Sequence, residues 1–175
     1  HIINWSGPTP ASSINLAERN YFKTLKTNPP PDQVVIETIR SYVTGRWSVL
    51  VAHRLSGKDG VFLGLLSRQI NPETYETYLQ PMALDRGTAI TLLDGDGTLL
   101  VRHPRADDLV GRKITDPTLL APALELGRHK ARMLSPIDNI ERIAAGARIA
   151  DLPLVVVATR RVDDVLADWR SQAVL

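Results

Sequence analysis

The chain contains no cysteine. That excludes a disulfide framework, a thiolate-ligated zinc and a thiol nucleophile, and it leaves the compartment open. No stretch approaches the ~18 consecutive apolar residues of a membrane span, and no signal-peptide pattern is visible. Lysine and arginine number 21 against 19 acids, but they form no clustered run. A pI near 9.1 spread this thinly speaks against nucleic acid as a partner. The histidines, His1, His53, His103 and His129, show no metal-ligand spacing. No serine stands in a nucleophile elbow, and no phosphate loop is present. Internal repeats and low-complexity segments are also missing. What remains is 175 residues, 43% apolar and 23% charged, ordinary for a globular protein and enough for one core. Both ends are apolar, Ile2-Ile3 and Ala173-Val174-Leu175. They look cut, so residues 1–175 are expected to be a single domain from a longer chain.

The chain is organised around residues 45–70. Trp47, Val49, Val51, His53 and Leu55 alternate with Ser48, Leu50, Ala52 and Arg54, the period of two that marks a strand. Ser56-Gly57-Lys58-Asp59-Gly60 reads as a hairpin loop. Residues 61–70 begin apolar on both faces and are predicted to form a central strand covered on both sides. Upstream, residues 2–16 suggest a short strand and a loop. A helix is expected over 17–26, with Asn15 as its cap and Glu18 in its first turn. The run TNPPPDQ at 27–33 is a stiff break, and 34–39 is a short strand. Downstream, Asn71-Pro72-Glu73 starts a helix carrying Tyr75, Tyr78, Leu79 and Met82, which Pro81 ends. Two further hairpins join 89–93 with 98–103 and 128–134 with 140–147. Between them lies irregular chain with one helical turn near 119–126. Residues 154–159 make the clearest strand. Val162, Val165, Leu166, Trp169 and Ala173 form the stripe of a terminal helix. Successive hairpins beside helices predict an α+β protein with an antiparallel sheet.

Two features could carry chemistry. Leu93-Asp94-Gly95-Asp96-Gly97-Thr98 matches the DxDGT signature of haloacid-dehalogenase-type phosphatases. There the first Asp attacks phosphorus and the second handles the leaving-group proton, with Mg²⁺ bridging. That class places the motif on the first strand of a parallel α/β sheet with well over a hundred residues behind it. Here 93 residues precede Asp94 and fewer follow. A hairpin turn is the preferred reading, because Asp-Gly pairs supply the positive φ of tight turns. Catalysis is therefore unsupported, and no cofactor or metal is expected. The second feature is arginine beside aromatic residues: Arg19-Asn20-Tyr21-Phe22, Arg46-Trp47 at the start of the long strand, and Arg54 along it. A planar fork of donors beside apolar walls suits capture of a carboxylate or another anion. For Trp47 core packing is the preferred reading, since it shares a face with Val49 and Val51. Arg19 fits a loop pin to a carbonyl or carboxylate.

A collinear set of motifs spans nearly the whole chain. It runs Glu18-Arg19-x-Tyr21-Phe22, Thr44-Gly45-Arg46-Trp47, Arg54-Leu55, Asp59-Gly60-x-Phe62-x-Gly64, and Leu93-x-x-Asp96-Gly97-x-Leu99-Leu100-x-Arg102-x-Pro104. It continues with Ser135-x-x-Asp138-x-x-Glu141-Arg142 and Pro153-Leu154-x-Val156, followed by Trp169. In order and spacing this resembles the Cache (PDC-type, PAS-like) extracytoplasmic sensor domains of bacterial histidine kinases, diguanylate cyclases and chemoreceptors. The resemblance implies a PAS-like antiparallel sheet with flanking helices and a periplasmic location. It also implies anchoring by membrane helices outside this chain, and a pocket for a small molecule. Arg19-x-Tyr21-Phe22 falls where many Cache domains have Arg-x-Trp-Tyr, whose Arg and Trp hold a ligand carboxylate. Arg19 and Tyr21 are thus the first ligand-binding candidates, with Phe22 as a wall, and Trp47, Arg54 and Gln69 complete the set.

The chain also departs from that pattern. Amino-acid-binding members carry a Tyr five residues before the Arg, where this chain has Ile14. They carry an Asp after the long strand, paired with the ligand ammonium, where this chain reaches Gln69. The expected ligand is a small carboxylate or other anionic metabolite rather than an amino acid. The rival readings are a ligand-free dimerisation or partner-binding module that uses the Trp169 helix face, and the phosphatase. A homodimer is compatible with the sensor reading.

Overall fold

The computed structural model describes residues 2, 6, 14–27, 30, 33–42, 44–83, 85, 87–114 and 130–173. They belong to two compact units, His1–Asn71 and Pro72–Leu175. Most of the strand expected within 2–16, part of the proline break, the turn near 119–126 and the Trp169 side chain lie outside the described residues.

The first unit packs one helix on an antiparallel sheet. Helix α1 (Asn20–Lys26) precedes β1 (Val34–Arg40), β2 (Trp47–Ser56) and β3 (Phe62–Ile70), ordered β1-β2-β3. Asn15 does not cap α1. Its Oδ1 accepts the Ala17 N–H at 2.9 Å in the turn leading in, and Arg19 holds the N-cap position. The alternation of β2 decides what is buried: Leu50 and Ala52 pack under Tyr21 and Leu25 of α1, with Ile39 from β1. In register, Leu50 faces Glu37 and Gln69, and Ala52 faces Val35 and Ser67. Opposite residues of an antiparallel pair share a face, so this is the face that α1 covers. At the hairpin tip the Gly60 φ of +74° is open to glycine at no steric cost. β3 is not the doubly covered central strand that its apolar run suggested. Among the described residues it pairs only with β2, and Leu63 and Leu66 are 68% and 67% exposed. Apolar side chains on both faces show that a strand gains by being covered, not which neighbour supplies the cover.

The second unit opens with α2 (Pro72–Leu79), and Pro81 falls in the 3₁₀ turn that follows, Gln80–Met82. Strands β4 (Thr88–Asp94), β5 (Leu99–His103), β6 (Lys130–Leu134), β7 (Glu141–Arg148) and β8 (Leu154–Arg161) form an antiparallel sheet ordered β5-β4-β8-β7-β6. Helix α3 (Val162–Ala173) continues from β8. β8, the clearest strand in the sequence, is central. Its Val155 and Val157 enter a core with Leu93, Leu99, Met133 and Ala144, where each large apolar side chain contributes about 1.5–3 kcal/mol by burial.

This unit also holds a charged knot. Arg142 sets Nε and Nη2 on the two Asp138 carboxylate oxygens at 3.2 and 2.7 Å, and Nη1 on the Gly87 carbonyl at 2.8 Å. Arg102 donates to Thr91 Oγ1 at 2.7 Å and reaches Asp138 Oδ2 at 3.3 Å. Both arginines are buried. Burial opposes ionisation of Asp138, yet hydrogen bonds from Arg142 and Ser135 and the two cationic neighbours hold its carboxyl below the usual range. A depressed carboxyl contributes stability above its unfolded pKa and loses it as pH falls through the folded value. Asp138→Ala leaves two buried guanidinium groups without their shared anion. It is expected to cost ~2–4 kcal/mol at neutral pH, measured by urea denaturation. The gap to wild type should narrow in acid.

Candidate functional site

The first unit encloses a cavity of about 450 Å³ between α1, the segment before it, and the β2–β3 hairpin, within the size range of small-molecule sites. Arg19 reaches it from the N-cap of α1. Its Nη2 donates to the Arg40 carbonyl at 2.7 Å, and its guanidinium lies 3.6 Å from the Tyr42 ring centroid. Its Nε is buried and has no hydrogen-bond partner among the described residues. Tyr21, one residue inside the helix, is 1% exposed. Burial raises its hydroxyl pKa, and the charge of Arg19 opposes that rise. Phe22 meets Phe62 edge to face at 5.7 Å, and both rings line the cavity. The floor comes from one face of β3, where Leu65, Ser67 and Gln69 follow one another at the strand period.

Of the six residues that the sequence singled out, the structure brings Arg19, Tyr21, Phe22 and Gln69 to this cavity. Trp47 and Arg54 are not in its lining. Trp47 stands opposite Arg40 on the other face of β2 and is 43% exposed. The alternation of the strand aims it away from α1. Arg54 is buried with its donors committed: Nη1 to the Leu25 and Lys26 carbonyls at 2.7 and 2.9 Å, Nη2 to the Gly60 carbonyl at 3.0 Å, and Nε to Ser56 Oγ at 2.9 Å. It therefore ties the last turn of α1 to the hairpin tip. Its guanidinium also lies 5.0 Å from the Phe62 ring centroid, so it supports a cavity wall from behind without lining the cavity. Tyr42 and Ser67 were missed. Tyr42 sits in a segment without periodicity and carries no sequence signal. Ser67 could have been found by continuing the alternation back from Gln69.

The Asp-Gly motif is a turn between β4 and β5. Asp94 Oδ1 accepts the N–H groups of Asp96 and Thr98 at 3.0 and 2.9 Å, and Asp96 Oδ1 accepts the Thr98 hydroxyl at 2.7 Å. The sheet is antiparallel, unlike the parallel sheet that a phosphatase of that class needs. Burial and a hydrogen bond with Asp96 raise the Asp94 carboxyl to about 6. Hydrogen bonds from Asp94 and Thr98 hold Asp96 low, with Lys113 at 3.2 Å assisting. His103 has Glu76 at 3.5 Å. Among the described residues no cluster could hold a metal ion.

Two outcomes follow from these contacts. Arg54→Ala strips the donor from three carbonyls and should destabilise the chain by ~2–3 kcal/mol, read by denaturant melts. For Asp94 the folded pKa lies above the unfolded one, so the associated stability is present in acid and lost as pH rises through about 6. Asp94→Asn keeps the acceptor and removes the second charge. Its melting temperature should match wild type near about pH 3, below the unfolded pKa, and exceed it near about pH 8.

The family model of the dCache_1-like histidine kinase sensor domain matches residues 72–159, half of the chain. Among solved structures, the extracellular domain of rpHK1S-Z16, assigned as a histidine kinase, is 30% identical. It has a TM-score of 0.73, with 93% of this chain and 66% of that one covered. The ligand-binding domain of the Pseudomonas aeruginosa PAO1 amino acid chemoreceptor PctB, in complex with L-Arg, superposes with a TM-score of 0.68 at 16% identity, over 94% of this chain and 64% of that one. The periplasmic sensory domain of the Campylobacter jejuni chemoreceptor Tlp1 gives 0.64 at 16% identity, over 86% of this chain and 57% of that one. The last two share the fold, and the chain spans 57–66% of the length of these three structures. No curated protein sequence matches it. The α+β architecture expected from the hairpins is that of these sensors, and the chain belongs to the dCache_1-like family of histidine kinase sensor domains.

Proposed function

We propose that this chain is the extracytoplasmic, ligand-binding part of a bacterial transmembrane signalling receptor, and that it binds a small anionic metabolite such as a carboxylate at Arg19. The observation that carries this is the Arg19 guanidinium at the cavity, stacked on Tyr42, with a buried Nε that has no acceptor among the described residues. A carboxylate supplies that acceptor and a charge of the right sign. The domain itself is non-catalytic in this reading. Membrane helices and a kinase or cyclase output belong to the longer protein. The extracellular domain of rpHK1S-Z16 and the L-Arg complex of PctB are precedents in the same fold.

Signalling requires the ligand to bind two states unequally. Arg19 contributes to that directly: it holds the Arg40 carbonyl at the end of β1, so a ligand drawing on the same guanidinium bears on the position of β1. The test is a thermal-shift screen of organic acids, amines and amino acids. A ligand at ~100 times its dissociation constant should add about 2.7 kcal/mol. Arg19→Ala should then weaken binding of the best acid by ~1.5–3 kcal/mol in calorimetry. An affinity within about twofold of wild type would remove Arg19 as the anchor.

A further inference from the structure

Among the described residues, the cavity of the first unit is lined by one charged side chain. Arg19 is its cation. Phe22, Phe62 and Leu65 are apolar, and Ser67 and Gln69 are neutral. No Asp or Glu lines it among the described residues, and residues 1–13 contain neither. The carboxylates of this unit nearest to α1 have partners. Glu18 holds Lys23 at 2.7 Å, and Glu37 accepts from Asn20 at 3.3 Å.

An α-amino acid brings an ammonium with three donors into this space. Neutral oxygens on Ser67 and Gln69 can accept from it, but no acid among the described lining residues offsets its charge. A buried cation without a counter-charge is penalised well beyond an unmade neutral hydrogen bond. A carboxylate on a hydrocarbon tail meets no such conflict. Its head takes the free donor of Arg19, and its tail lies against Phe22, Phe62 and Leu65. Binding sites discriminate most strongly when the wrong ligand leaves a polar group unpaired.

We infer that the cavity selects an apolar-tailed monocarboxylate without an ammonium group, and rejects the α-amino acid of the same skeleton. This rests on the reading that Arg19 anchors a carboxylate.

Isocaproate, L-leucine and isocaproamide share one carbon skeleton and separate the two ideas. Each would be titrated calorimetrically into the wild-type chain, Arg19→Gln and Gln69→Glu, with each variant's melting curve confirming that it folds. The expected order in wild type is isocaproate at least about tenfold tighter than L-leucine, with isocaproamide weaker than isocaproate. Arg19→Gln should abolish the advantage of isocaproate over the amide. Gln69→Glu, which places a carboxylate in the lining, should weaken isocaproate and strengthen L-leucine. L-leucine binding as tightly as isocaproate, with both dependent on Arg19, overturns the ligand class and leaves the anchor standing. Isocaproate and isocaproamide binding alike, unaffected by Arg19→Gln, overturns the anchor and the inference together. Absence of isocaproate binding overturns the inference. If Arg19→Gln fails to fold, the direction of the Gln69→Glu switch decides alone.

Discussion

A guanidinium group removed from water must place its N–H groups on acceptors, because an unmade bond in a low-dielectric interior costs the full desolvation of the donor. This chain does so repeatedly. Arg54 sits among the carbonyls of Leu25, Lys26 and Gly60. Arg102 and Arg142 converge on Asp138, Thr91 and the Gly87 carbonyl. In these three the demand is met within the fold, and each ties together segments far apart in sequence. Arg19 differs. It spends one nitrogen on the Arg40 carbonyl, rests its plane on Tyr42 and keeps a buried Nε without an acceptor. The same chemistry that closes the interior elsewhere is left open at the cavity.

The first unit shows how such a site is held. Helix α1 has seven residues, too short to persist on its own propensity. Tertiary contacts hold it instead. Tyr21 and Leu25 seal it on Leu50 and Ala52, Arg54 fixes its last carbonyls to the hairpin tip, and Arg19 fixes its start to β1. The two ends of one short helix thus report to different strands. Phe62, which lines the cavity, lies against both Phe22 and Arg54, so the cavity wall is continuous with the tie that stabilises the helix.

Much of this architecture was legible. The alternation over 47–56 marked β2, Asp-Gly and Gly-rich breaks marked the hairpin turns, Pro72 and Pro81 bracketed α2, and the Leu154–Thr159 run marked a strand now seen at the centre of a sheet. These signals are local, and turn chemistry and strand period act over a few residues. β3 was misplaced because an apolar run reports the need for cover, whereas centre or edge depends on what pairs alongside. Asn15 was misjudged as a cap because an Asn side chain can serve a turn before a helix as well as the helix itself. The DxDGT string shows the same ambiguity, since the catalytic signature and the Asx-type turn use the same residues.

For the site, the sequence alone determined the cast: an arginine beside two aromatic residues at a helix start, a strand carrying Gln69, and no cysteine or metal-spaced histidines. It could not rank Arg19 above Arg54, or Phe22 above Trp47. Those pairs are chemically alike, and they differ only in which acceptors and which strand face lie within a few ångströms. That selection belongs to the tertiary structure. Sheet register decides the side on which an alternating residue emerges, and the meeting of α1 with the β2–β3 hairpin decides which guanidinium is saturated and which keeps a donor free.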